Sequence, residues 1–452
     1  MTTTRPAPEE RAARVLTHLG TRAGEVTRPL VRWGLMHGLP RTALRLAARR
    51  GDPQARLFVA AGASPTRAMG GLFDEIRDLG PLPGGVFSRV TADYAVVREV
   101  LTSNDFRTGV GPGGGLWGRL ARWSAADFLH PVAPPSLLVT EPPDHTRYRK
   151  LVTRVFTVRA VENLRERTEQ IANELLDSLD PTGPVDLAAT YCSLLPVTVI
   201  AEILGVPAEQ RTRVLRLGSA AAPSLDMGLP WRQFRAVESA LRAFDSWLSE
   251  HLDQLRTKPG DNLLSQLVAA REDGVGLTDL ELRATAGLVL AAGFETTVNL
   301  LGNGTALLHD NPEELAALRA DPTLWPNAVE EILRADPPVM LTGRTCVRAT
   351  EVAGVAVPAG TLVTTILAGA NRDPAVFTEP ARFDVRRGNA RDHISFSTGR
   401  HYCLGAALAR MEGEVGLRTL FERFPDLRLT PGATYRDTRI LRGYEHLPAI
   451  LT

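Results

Sequence analysis

The densest chemistry in the chain lies in the run Phe396-Ser397-Thr398-Gly399-Arg400-His401-Tyr402-Cys403-Leu404-Gly405. Ala406-Ala407-Leu408-Ala409-Arg410 follows it and is a strong helix former, so Cys403 falls in a loop at the mouth of a helix. Unpaired N–H groups and the helix dipole favour negative charge there and push the thiol toward thiolate. Gly399 and Gly405 remove side chains on either flank, which lets backbone amides approach the sulfur, and Phe396 can cover it. A covered thiolate bonded by amides is a tuned metal ligand. Cys192 has no glycine or charge partner near it in sequence. Cys346 lies between Arg344 and Arg348 without a loop-to-helix junction. Both read as small buried hydrophobes.

A second constellation is Leu288-Val289-Leu290-Ala291-Ala292-Gly293-Phe294-Glu295-Thr296-Thr297. It lies inside a long helical pattern that opens with the capping box Thr278-x-x-Glu281 and runs to about His309. At about 1.5 Å per residue such a helix is roughly 45 Å long and can cross a whole domain. Gly293 costs that helix about 1 kcal/mol relative to alanine, so it needs a reason: close approach of a flat ligand, or a kink. Glu295 and Thr296 beside it supply an acid and a hydroxyl able to hold a water and relay protons. The plain alternative is a solvated glutamate and a threonine bonded to its own backbone.

Two further pairs stand out. Glu331 and Arg334 are three apart on one helix face, ordinarily a surface ion pair of little worth, and Glu330 is also within reach of Arg334. In Glu141-Pro142-Pro143-Asp144-His145-Thr146-Arg147-Tyr148-Arg149 the prolines suit a helix start. His145 and Arg149 are then one turn apart, and two cationic donors on one face ask for an anion.

The elements that must position these groups are mostly helices. Apolar spacings of three and four mark Val161–Leu179, Val197–Leu204 and Ala236–Leu255, with weaker support around Leu315 and Leu318. Val86–Val90 reads as a strand after a Pro-Gly-Gly turn, and Val352–Thr364 as a hairpin region. The fold class is mainly α with a minor β portion. The 452 residues can bury a large core, as one large domain or two. No interdomain linker or internal repeat is visible, so residues 26–452 read as one domain behind a polar tail of residues 1–25. With 52 basic against 51 acidic residues there is no global field for nucleic acid or anionic lipid. Three cysteines are too few for a disulfide framework and fit a reducing cytosol. No run approaches the roughly 18 apolar residues of a membrane helix, and the first residues lack a signal-peptide layout, which leads to a cytoplasmic chain with no transmembrane anchor. Leu30–Ala48, apolar but broken by arginines, reads as a packed helix pair rather than a membrane-surface helix. The glycine cluster 109–115, bordered by Trp117, reads as a mobile loop against something apolar.

Taken together, Phe-x-x-Gly-x-His-x-Cys-Leu-Gly with Ala-x-x-Leu-Ala-Arg, Ala-Gly-x-Glu-Thr, Glu-x-x-Arg and His-Thr-Arg-x-Arg resembles the cytochrome P450 family, in the expected order over about residues 70–450. The departure is Ser397, where that family often has glycine. The resemblance implies a P450-like fold with a long central helix over haem b, iron protoporphyrin IX. Cys403 would be its axial ligand; Phe396, Gly399, Gly405, Ala292 and Gly293 would line it. His145, Arg149, Arg344 and His401 would hold its two propionates. Glu295 and Thr296 would deliver protons to dioxygen at the iron. Glu331 and Arg334 would be buried, joined by Arg382 from Pro380-Ala381-Arg382-Phe383-Asp384. The activity implied is insertion of one oxygen atom of O2 into an apolar substrate. Electrons would come from NAD(P)H through ferredoxin reductase and a separate ferredoxin, docked near Arg149, Lys150, Arg154, Arg387 and Arg400. Pocket walls are expected from Trp117, Val289, Ala292, Val339, Met340, Leu341, Ile440 and Leu441, with ordinary core packing as the alternative for each. A monomer is expected. The rivals are a peroxide-driven peroxygenase, a haem sensor or electron carrier, and a helical protein without haem that uses Cys403 as a redox thiol.

Overall fold

The structure, a computed structural model, describes residues 27–451 apart from 63, 110–114, 156, 261 and 272–273. The tail expected over 1–25 and most of the glycine cluster lie outside the described residues. Helices dominate. Those that position the site are α1 (Tyr94–Thr102), α2 (Gly115–Trp123), α3 (Asp144–Val155), α4 (Asp279–Asp310), α5 (Trp325–Ala335) and α6 (Ala406–Arg423). The main sheet has the order β1 (Arg89–Thr91), β6 (Leu362–Ile366), β3 (Leu341–Cys346), β2 (Phe106–Arg107); its pair β1–β6 is parallel and its other pairs are antiparallel. The hairpin β4 (Thr350–Val352)–β5 (Val355–Val357) turns at Ala353-Gly354, both at positive φ, and a second short pair joins β7 (Thr434–Tyr435) to β8 (Tyr444–His446).

The 32 residues of α4 are the axis of the largest core. The helix starts at the predicted capping box, with Thr278 and Glu281 each bonding the other's backbone N–H. From Leu282 onward its buried residues fall on every face rather than along one stripe, as they must in a helix enclosed by the core. This corrects one expectation: Asp279–Asp310 is long and apolar enough to cross a membrane by length and composition, and 67% of that apolar window is buried inside the protein. Against it pack α6 and the helix Leu194–Ile203, whose Leu195, Val197, Val199 and Ile200 are all buried.

Other expectations are refined. Val161–Leu179 divides into helices Val158–Glu162 and Arg165–Asp177. Residues 27–49 form one continuous helix with a π turn at Gly34–Gly38, not a pair. The strand expected at Val86–Val90 begins at Arg89, because a bridge from Gly84 to Arg89 takes Val86 and Phe87 into an exposed turn.

Candidate active site

Cys403 lies between a 3-10 turn at Gly399–His401 and the first turn of α6. The loop closes on itself: the Cys403 N–H donates to Phe396 O at 2.9 Å and the Tyr402 N–H to Gly399 O at 3.1 Å. Two residues pay for that closure in backbone conformation. Gly399 has φ +72°, and a Cβ there would lie 2.8 Å from Leu101 O in α1, so the loop presses against α1 where only glycine fits. Ser397 has φ +60°, a left-handed conformation costly to a residue with a Cβ, and its hydroxyl is buried with no partner among the described residues. The Phe396 ring sits under the Arg410 guanidinium at 4.5 Å. Of the three free cysteines only Cys403 is exposed; Cys346 is buried with its thiol toward Arg348 O, and Cys192 is core.

Loss of solvent around the sulfur pushes the Cys403 thiol up, while the Gly405 amide, Arg149 and Arg410 pull it down, as the loop-to-helix junction leads one to expect. A bonded metal cation would ionise it, because a coordinating thiol is deprotonated outright.

The four residues expected around an anion converge from three segments. His145 and Arg149 come from α3, Arg344 from β3 and His401 from the cysteine loop. The His145 and His401 rings stand 4.4 Å apart. Burial drives His401 down to about 4, helped by His145 and Arg344, and lowers Arg344 to about 10. Burial and then Arg149 lower His145. Arg149 is lowered too, mainly by burial. Glu141 is the carboxylate in reach: it accepts from the Thr108 N–H at 2.6 Å, His401 Nε2 at 3.2 Å and Arg400 Nη1 at 3.1 Å. His145 Nε2 is buried with no partner. Arg344 Nη1 reaches only Thr342 Oγ1 and its neighbour's carbonyl, Gly343 O. A buried cluster with more cation than anion and an orphaned donor suits a ligand carrying two carboxylates, and a porphyrin with its propionates meets that demand.

On α4, Gly293 is explained by neither neighbours nor backbone. The helix is continuous through it, and a Cβ there would meet only the Ile200 side chain at an ordinary 3.7 Å. No neighbour therefore demands a glycine here, and the space beside it is open to the flat ligand the sequence suggests. Glu295 is buried rather than solvated: Oε1 accepts from Arg436, and Oε2 has no partner. Thr296 Oγ1 donates to Ala292 O at 2.8 Å, the plain backbone bond. A loop-borne thiol together with a buried cationic cluster is a donor set that fits a haem and its propionates.

The Glu331 cluster brings one correction. Arg334, fully buried, makes a two-pronged bond to Glu331, Nε to Oε2 at 2.7 Å and Nη2 to Oε1 at 2.8 Å. The third member is Arg387, whose Nε lies 3.1 Å from Glu331 Oε1. Arg382, expected in that place, is 58% exposed and faces Glu379 at 3.7 Å. It contributes its backbone carbonyl, which accepts from both Arg334 and Arg387. Burial likewise removes Arg387 from the expected ferredoxin dock, and Arg400 is engaged by Glu141 and Asn104. Glu330 forms a separate tie with His393 and Arg410, linking α5 to α6, which the sequence did not disclose.

Of the expected pocket walls, Val339 bridges Leu441 and the Met340 N–H bonds Ile440 O, so those two segments do meet. Met340 itself has no accessible surface and packs with Leu57, Phe73 and Ile366, so it is core rather than wall; Leu341 and Leu441 are nearly as buried. Val289 packs on the main core, and Trp117 on α2 is 63% exposed.

Fold and site together define a haem-thiolate oxidoreductase: the chain belongs to the cytochrome P450 family, whose members bind haem and use O2, and it is a monooxygenase. The family model described as cytochrome P450 matches residues 222–438. The chain is 54% identical over 430 residues to the putative cytochrome P450 140 of Mycobacterium tuberculosis, covering 93% of this chain and 97% of that one. It is 42% identical to the vitamin D(3) 25-hydroxylase of Pseudonocardia autotrophica, over 84% of this chain and 91% of that one. Among solved structures it resembles P450BioI in complex with an acyl carrier protein ligated to hexadec-9Z-enoic acid, with TM-score 0.78 and 28% identity, over 86% of this chain and 98% of that one.

Proposed function

We propose that this monooxygenase hydroxylates a C–H bond of a small apolar substrate, acting as a cytoplasmic monomer fed with electrons from NAD(P)H by a separate ferredoxin and its reductase. The hydroxylase names of its relatives support the reaction type. Haem b, when bound, supplies O2 activation, and a thiolate ligand favours O–O cleavage. Cys403 holds the iron. His145, Arg149, Arg344 and His401 fix the propionates, and Gly293 lets the α4 backbone approach the porphyrin. Glu295 and Thr296 hand on protons: the Glu295 carboxylate has one oxygen tied to Arg436 and the other free to take a proton, and Thr296 stands beside it. Glu331, Arg334 and Arg387 lock the segment that precedes the cysteine loop.

The observation that carries this reading is the orphaned His145 Nε2 inside a cationic cluster on the same side of the fold as an exposed, loop-borne thiol. The test is spectroscopic. Reduced protein under carbon monoxide should show the strongly red-shifted Soret band of thiolate ligation, and Cys403→Ser should abolish it. A nitrogen-ligated spectrum in the wild type would end the reading. Thr296→Ala should keep the band while raising peroxide release about tenfold per electron pair. Turnover with ferredoxin, reductase and NAD(P)H, set against peroxide alone, separates monooxygenase from peroxygenase. A screen for ligands that shift the iron spin state would find the substrate.

A further inference from the structure

Glu295 is the first of three polar residues on one face of α4. Asn299 and Asn303 follow at intervals of four, and residues four apart on a helix lie one above the other. All three are buried in the middle of an otherwise apolar core. None is fully satisfied: Glu295 Oε2, both Asn299 amide atoms and Asn303 Oδ1 find no partner among the described residues. Buried polar groups left unbonded each cost about 1–3 kcal/mol, and three in register on one helix are not a random lapse.

The same C-terminal segment covers all three. Arg436 bonds Glu295, Gly443 sits against Asn299 so closely that a Cβ would overlap its amide, and Arg442 O accepts from Asn303 Nδ2 at 3.2 Å. The stripe continues beyond the helix. Asn303 Nδ2 also bonds Asp336 O at 3.1 Å, and the Asp336 side chain is buried with Oδ1 unpartnered and Oδ2 within 3.3 Å of the Tyr435 hydroxyl. Burial raises this carboxyl to about 6, against Arg67 and Arg442. The neighbouring Ala335, with Arg67, Leu307 and Asn311, lines a surface pocket of about 470 Å³.

We propose that Asp336, Asn303, Asn299 and Glu295 form a hydrated seam that carries protons from this surface pocket, along one face of α4, to the oxygen-handling site at Thr296. Ordered waters bonded to the orphaned atoms are the carriers; the amides position them, and a polar buried site with several partners holds water well. Each transfer breaks one O–H bond and makes another, so that as Glu295 gives up a proton toward Thr296 the next arrives from the seam, and solvent at the pocket replaces it. The proposal rests on the relay role given above to Glu295 and Thr296, and it assigns their supply line.

A high-resolution crystal structure of the holoenzyme should show waters bonding Asn299 and Glu295 Oε2. Asn299→Leu, close in size and apolar, should remove them and raise the solvent isotope effect on NADPH-driven O2 consumption, with a surrogate ferredoxin and reductase, at least about twofold. The carbon monoxide band should be unchanged, which shows an intact haem site. Asp336→Asn provides the second variant and should move the isotope effect the same way. A dry seam, or an unchanged isotope effect in both variants, overturns the route. If Thr296→Ala disturbs coupling while both seam variants behave as wild type, the relay stands and the seam falls.

Discussion

Two clusters of buried charge flank the cysteine loop, and they are built on opposite plans. Around Glu331 the strong donors find acceptors inside the protein: two arginines share one carboxylate, and their remaining N–H groups go to the carbonyls of Asn371, Thr378, Glu379, Pro380 and Arg382. Around His145 the cations outnumber the carboxylates, and each depresses its neighbours. The first cluster is closed and holds chain to chain. The second is open and suits something the chain does not supply. Burial and charge alone would not tell them apart; the count of unmet donors does.

Substitutions should separate the two plans. The largest effect belongs to the closed cluster. Arg387→Met leaves Glu331 short of one partner and several carbonyls unmet, and should cost about 3 kcal/mol or more in denaturant unfolding, with or without haem. Arg382→Met, one loop away, should stay within about 0.5 kcal/mol. Equal costs for the two would erase the distinction between side chain and carbonyl drawn here. In the open cluster, Arg344→Met should spare the stability of the haem-free protein, because it removes a charge held in a place that disfavours it. Haem transfer to an acceptor globin should nevertheless quicken by about tenfold. A matching loss of stability without haem would show the cluster to be closed after all. The smallest effect is local: Ser397→Gly should stabilise by about 1 kcal/mol by relieving the left-handed serine, read as a higher urea midpoint.

The comparison also explains what sequence could and could not show. The Cys403 loop is legible because its cysteine, glycines and following helix are contiguous. The long helix was legible from its cap and its glycine. Glu331 and Arg334 were legible because i, i+3 geometry is local. The third arginine was not: Arg382 and Arg387 lie five apart in a stretch without regular structure, so nothing in the spacing says which side chain turns inward. The segment that covers Asn299 and Asn303 is hidden for a similar reason: Arg442 and Gly443 lie in residues 436–443, a stretch without a strand to carry a pattern.

The cysteines offer a practical consequence. Two of the three thiols are sealed in core and strand, and burial takes Cys192 up to about 12. A mild alkylating reagent applied to the folded chain should therefore find a single target. That target is the sulfur the prosthetic group would occupy, so the fraction of molecules left unlabelled becomes a direct gauge of cofactor loading, with no chromophore needed.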